Sequence, residues 1–199
     1  MASITLINNT REMVRLALFK TPVLNPDLAP IAWRIASPPP GGSTKVILPS
    51  DFTVQAHYSG DPSNPAHLEN TTVPVAFSET TAGFSIDSIN PQATRAVIRQ
   101  VSTDLAMNAV RVVNNFPIRV EVSIRMGDDP IHEPRIVWPG GVLMEDFRGP
   151  IHVAVVSQFT MQGMRLLQEE FSLTRTEAIA GGRLQVTGSQ WVGYALTAL

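Results

Sequence analysis

The sequence predicts an all-β fold, an internally duplicated β-sandwich of two similar units. Three observations predict it. First, apolar and polar residues alternate without a break from Ile118 to Arg125, the period of a half-buried strand, whose successive side chains point to opposite faces. Second, short runs of this kind recur along the chain, separated by clusters of proline, glycine and asparagine, the punctuation of a sandwich or barrel. Third, landmarks of the first half return in order in the second, and internal repetition decides architecture before any single element does.

The landmarks are specific. Asn8-Asn9 matches Asn114-Asn115, and Val14, Leu16 and Leu18 match Val120, Val122 and Ile124. Ile31-Ala32-Trp33 matches Ile136-Val137-Trp138, and Pro40-Gly41-Gly42 matches Pro139-Gly140-Gly141. Asp51-Phe52 matches Asp146-Phe147, Ser59 matches Ser157, and Phe77-Ser78 matches Phe171-Ser172. The offset shrinks along the chain, as it does when loops differ in length. The boundary falls near Ser102 to Asn108, giving a first unit over residues 1–104 and a second over 105–199, each of ordinary domain size.

Taken in order, the first unit should contain strands at Ile4–Ile7, Met13–Phe19, Ile31–Ile35, Lys45–Leu48, Thr53–Tyr58, Val73–Phe77, Phe84–Ile86 and Ala96–Val101. Pro22 to Pro30 is a long loop. Ser37 to Gly42 holds three consecutive prolines, which lack the amide donor of a central strand. Ser59 to Asn70 is polar and broken by Gly60, Pro62 and Pro65. Gln92 to Val113 is the ambiguous stretch. Val97, Val101 and Leu105 have helical spacing, but dense β-branching favours strand, link, strand. The second unit should hold strands at Val110–Val113, Ile118–Arg125, Ile151–Val156, Leu184–Thr187 and Trp191–Leu196.

Composition narrows the function. The chain has 199 residues, 44% hydrophobic, with 15 basic and 17 acidic side chains and a net charge of −2. Charges are balanced between the halves, so no basic patch points to nucleic acid or to anionic lipid. There are no cysteines, which excludes disulfides, thiol catalysis and thiolate metal sites. The opening Met-Ala-Ser-Ile-Thr-Leu-Ile-Asn has no basic segment followed by an apolar one, so the expectation is a cytoplasmic protein or one exported without a cleaved signal. Asn8-Asn9-Thr10 and Asn70-Thr71-Thr72 are formal sequons, read here as turns.

No short motif assigns a reaction. Phosphate-binding glycine loops, Gly-x-Ser-x-Gly and His-Glu-x-x-His are absent. His57, His67, His132 and His152 are far apart in sequence, and Glu133 beside His132 is the one carboxylate that suggests a ligand set. Asp128-Asp129 and Glu145-Asp146 read as turns rather than acid–base pairs. Trp33 and Trp138 read as one core anchor per unit, the alternative being an exposed pair that stacks on sugars. No catalytic, cofactor or metal residue is therefore assigned, no cofactor is expected, and the balance leans away from an enzyme.

The expectation that remains is a non-catalytic, self-assembling homo-oligomer. The alternatives are a ligand-recognition or membrane-active sandwich, lectin-like or cytolytic, and a metal-dependent β enzyme. Contact with membrane or glycan has no support in the charge pattern. After Arg183 the chain carries no charged side chain, although exposed edge strands usually carry charge or proline. The interface candidates are Met161, Met164, Leu166 and Leu167, whose methionines suit an adaptable apolar contact, together with Trp191 and Tyr194.

Overall fold

A computed structural model describes residues 2–77, 82–90, 92, 94–101, 109–146, 149–167 and 176–199. Every regular element among them is a strand. In chain order these are β1 (Ala2–Asn8), β2 (Leu16–Phe19), β3 (Arg34–Ala36), β4 (Ser43–Leu48), β5 (Phe52–Tyr58), β6 (Asn70–Thr71), β7 (Val75–Phe77), β8 (Ala82–Ser88) and β9 (Ala96–Val101). There follow β10 (Val110–Asn114), β11 (Val120–Met126), β12 (Asp129–Pro130), β13 (Arg135–Val137), β14 (Val142–Glu145), β15 (Ile151–Val155), β16 (Thr176–Ala178), β17 (Arg183–Ser189) and β18 (Gly193–Ala198). The all-β fold expected from the alternation is what the chain adopts.

The strands form two compact units. Unit 1 comprises residues 1–21, 29–50 and 149–199, and unit 2 comprises 22–28 and 51–148. This division differs from a split at residue 104. β1–β4 join β15–β18 in unit 1, while β5–β9 join β10–β14 in unit 2. Unit 1 has sheets ordered β18-β17-β1-β4 and β16-β15-β2-β3. Unit 2 has a sheet ordered β14-β10-β8-β9 and a six-stranded sheet centred on β11 and β5. Sequence periodicity specifies which face a side chain occupies, but not which strand lies alongside.

The pairing scheme of one unit recurs in the other. β1 runs antiparallel to β4 and parallel to β17, as β10 runs antiparallel to β14 and parallel to β8. β2 lies between β3 and β15, as β11 lies between β13 and β5. The register agrees as well: Leu6 faces Thr44 and Leu184, where Val112 faces Leu143 and Phe84. This is a likeness of pairing; strand pairing alone does not confirm a duplication of the sequence.

Core residues follow the alternation of the chain except at Ile118, which precedes β11 and is half-buried. Val14, Leu16 and Leu18 are buried in unit 1, and Val120, Val122 and Ile124 in unit 2. On the opposite face of β11, Arg119, Glu121 and Arg125 are half-buried, as expected for a polar face. Ser123 departs from it and is buried. Its short side chain lies between the longer Glu121 and Arg125 on its own strand and opposite Gln55 on β5.

Each unit is fastened by one buried asparagine. Asn8 Nδ2 donates to the carbonyls of Glu12 at 2.8 Å and Pro38 at 3.0 Å. Its Oδ1 accepts from the Thr10 amide at 3.0 Å. Asn114 Nδ2 donates to the carbonyls of Ile118 at 3.0 Å and Val137 at 2.8 Å, and its Oδ1 accepts from the Phe116 amide at 2.9 Å. In unit 1 the side chain joins the corner after β1 to the β3–β4 link, and in unit 2 it joins the corner after β10 to the last residue of β13. Asn9 and Asn115 are exposed, so one residue of each Asn-Asn pair carries the corner.

The glycine landmarks hold and the tryptophan landmark does not. Gly41 and Gly140 turn the chain at φ 70° and 72°, values that suit glycine. The Gly42 amide donates to the Pro39 carbonyl, and the Gly141 amide to the Trp138 carbonyl, each at 2.8 Å. Pro39 is therefore the counterpart of Trp138. Trp33 is 1% exposed and Trp138 is 63% exposed, which corrects the equivalence expected from sequence. The reason lies before β3. Ile31 to Trp33 do not extend that strand, because Ala32 instead exchanges backbone hydrogen bonds with Gly163 and Met164, each at 2.8 Å. The proposed boundary at Ser102 to Asn108, Phe147, and the match of Phe171-Ser172 to Phe77-Ser78 lie outside the described residues.

Asn114→Ala should cost unit 2 about 2–4 kcal/mol, because it strands one buried amide and two carbonyls. Asn115→Ala, on the exposed neighbour, should cost less than about 1 kcal/mol. Urea unfolding followed by tryptophan fluorescence and circular dichroism measures both; equal losses would show that the side-chain bonds do not hold the corner.

Candidate functional site

The pair Glu145-Asp146 separates on folding. Glu145 is fully buried at the end of β14. Its carboxylate accepts from the amides of Val23 at 2.7 Å, Leu24 at 2.8 Å, Asn25 at 3.0 Å and Asp146 at 2.9 Å, and from Asn25 Nδ2 at 2.8 Å. Asn25 Nδ2 also donates to the Met144 carbonyl. Five donors saturate the carboxylate, which leaves it nothing for acid–base work. It anchors residues 22–28, a loop of the first half, into unit 2. Sequence reading took Glu145 for a turn residue; an acidic side chain ending an apolar strand was the available signal.

The histidines do not converge. His57 Nδ1 lies 3.2 Å from Thr71 Oγ1 on an exposed strand pair, and His67 Nδ1 lies 2.8 Å from Glu69 Oε2 in the polar loop. His152 is buried against the Phe19 ring in unit 1, with centroids 5.6 Å apart. His132 is buried in unit 2 with Nδ1 2.9 Å from the Glu133 carbonyl. Among the described residues no group of three or more histidine, cysteine or carboxylate side chains is placed to hold a metal ion. Asp128 sits in the β11–β12 turn, where its carbonyl accepts from Arg125 Nε at 2.9 Å, and Asp129 opens β12 opposite Met126.

The interface candidates fall in unit 1, on two adjoining segments. β17 and β18 form a hairpin whose tip places Trp191, 89% exposed, beside Val192, also exposed. Gly188 makes the hairpin possible: at φ 96° a Cβ there would lie 2.2 Å from the Gly193 carbonyl oxygen. Tyr194, half-buried, donates its hydroxyl to Glu12 Oε2 at 2.6 Å, and the Gln190 amide donates to the same oxygen at 3.0 Å. Met161, Met164 and Leu167 are exposed. Leu166 is not: at 2% exposure it belongs to the core cluster with Phe19 and Ala32, because its amide bonds the Pro30 carbonyl and draws it inward. Sequence reading also passed over Phe159, 87% exposed, and Arg15, which line a cleft of about 310 Å³ with Met13, Val155, Gln190 and Tyr194.

Among the described residues, no strand pairs with the outer side of β18. Leu199 N donates to the Arg183 carbonyl at 3.0 Å, and the register pairs Thr197 with Gln185 and Ala195 with Thr187. In an antiparallel ladder every second residue points its N–H and C=O at the neighbour. Residues 195 and 197 therefore face β17, and Tyr194, Leu196 and Ala198 turn theirs outward.

Fold and surface together define a class: a two-unit, all-β chain with an uncharged, outward-facing edge strand and exposed aromatic side chains beside it. No family model matches the chain, and neither a curated protein nor a solved structure matches it.

Two titrations test this geometry. Burial holds the His132 imidazole below its ordinary value of 6.5, opposed by the Glu133 carbonyl and the charge of Glu145. The unfolded chain then binds the proton first, so unit 2 should lose stability as pH falls through and below about 6.5. His132→Gln should flatten the urea midpoint between about pH 7 and 5. Burial, and then the Glu12 contact, push the Tyr194 phenol up to about 12. Stability from Tyr194 is present below the ordinary value of 10.0 and fades as pH rises toward about 12. Absorbance at the phenolate band should show a tyrosine ionising near 12 that disappears in Tyr194→Phe.

Proposed function

We propose that this chain is a self-assembling structural component that pairs with a second copy through the open edge of β18. The observation that carries the reading is the contrast between this six-residue edge and the edges at β4, β9, β16 and β14. β4 carries exposed Lys45, β9 exposed Arg99, and β16 exposed Glu177. The edge at β14 is covered by the Asn25 side chain on the Met144 carbonyl. Such charges and covers protect edges from adventitious pairing; β18 carries no charge, and none of the described residues covers its outer side. An open row of N–H and C=O groups is complementary to another extended strand.

The geometry is also self-complementary. The outward residues Tyr194, Leu196 and Ala198 are symmetric about Leu196. A second β18 laid antiparallel would set Leu196 against Leu196 and Tyr194 against Ala198 twice, around a twofold axis. Absence of charge removes repulsion between identical strands. Ala195 would then face Thr197 of the other copy, and both side chains are exposed in one chain.

That last pair supplies the test. Ala195→Lys with Thr197→Lys sets like charges opposite each other at two places. Ala195→Lys with Thr197→Glu sets opposite charges there. Cross-strand pairs are worth about 0.2–1 kcal/mol each, so the lysine pair should weaken the dimer roughly tenfold relative to the Lys–Glu pair. Light scattering after size exclusion, across a dilution series, reads the mass. A monomer at every concentration, or equal behaviour of the two variants, overturns the proposal.

A further inference from the structure

We propose that the cleft in unit 1 binds a small carboxylic acid with an apolar, aromatic body, the acid on Arg15 and the body between Met13, Phe159 and Tyr194. This inference does not rest on strand pairing, since the cleft is complete within one chain.

The cation is held ready. Arg15 Nε donates to the carbonyl of Thr160, itself buried, at 2.5 Å, which fixes the guanidinium plane. Its two terminal nitrogens make no hydrogen bond or ion pair to the described residues. A guanidinium tied at Nε offers those two nitrogens as a fork that matches a carboxylate. Around it the walls are apolar: Met13, Val155 and the ring of Phe159. Glu12 lies close in sequence, but its Oε2 takes the Tyr194 hydroxyl and the Gln190 amide. The volume, about 310 Å³, lies at the small end of ligand sites. Phe159 stands almost wholly in solvent at the rim, where a planar ligand can stack on it.

Unit 2 provides an internal control, because its matching positions carry different chemistry. Leu16 faces Val155, where Val122 faces Ala56, so the residue before each, Arg15 or Glu121, occupies the same place. Leu196 faces Val186, where Ile98 faces Ile86, so Tyr194 corresponds to Ala96. The strand pairing tolerates an acid and an alanine at these positions. Neither the cation nor the aromatic wall of the cleft is therefore required by the fold.

The test uses the full chain and 3-phenylpropionate, with 3-phenylpropan-1-ol as its neutral match, by calorimetry and by amide chemical shifts. Saturable binding of the acid, with the alcohol at least about tenfold weaker, is expected. Arg15→Gln should abolish that preference, and Arg15→Lys should weaken acid binding severalfold, since a lysine lacks the fork. Phe159→Ala, on an exposed side chain, should weaken acid and alcohol alike by severalfold while the far-ultraviolet spectrum stays unchanged. Glu121→Ala should change nothing. No saturable binding of the acid up to about 10 mM, equal binding of acid and alcohol, or acid binding unaffected by either Arg15→Gln or Phe159→Ala overturns the proposal.

Discussion

Each unit depends on one buried amide. A β-sandwich must pass its chain from one sheet to the other, and the corner exposes backbone groups that neither sheet can pair. Asn8 and Asn114 answer this with one side chain, which satisfies an amide and two carbonyls from segments far apart in sequence. An aspartate could accept but not donate, and a serine could not reach both carbonyls. With the corner closed, the first strand meets its antiparallel and parallel neighbours in a fixed register. A one-residue slip would turn the apolar face of that strand to water.

Much of this was legible in the chain. The unbroken alternation from Ile118 to Arg125 identified β11 and its buried face, and Ala96–Val101 was read to the residue. Asn-Asn and Pro-Gly-Gly marked corners because they answer local backbone needs that any copy of the corner shares. Trp33 and Trp138 misled for the opposite reason. A tryptophan is a large apolar side chain wherever it sits, and its presence says nothing about the hydrogen bonds of its own backbone. Those bonds send Ala32 to the 163–164 turn and leave Trp138 on a tip.

Partnership between strands was not legible. Alternation tells a strand which way its side chains point, and this holds whether its neighbour is adjacent in sequence or distant. The exchange of strands between halves therefore left no trace in the pattern, and neither did the burial of Glu145, whose partners lie at residues 23–25. Absence of charge after Arg183 is a property of sequence alone, whereas the cleft at Arg15 exists because β2, the end of β15 and the hairpin tip meet.

The discontinuity of unit 1 has a consequence for how the protein is made. Strands β1–β4 emerge first during synthesis, but their neighbours β15–β18 are encoded after residues 51–148. At roughly 5–20 residues per second, the first four strands wait on the order of 5–20 s for their partners to leave the ribosome. Meanwhile unit 2 receives all its strands from one uninterrupted stretch, and its loop at 22–28 has already emerged. Unit 2 can close first, while β1 still lacks β17 and β2 still lacks β15, which makes this waiting period the stage at which a nascent chain has most need of a chaperone.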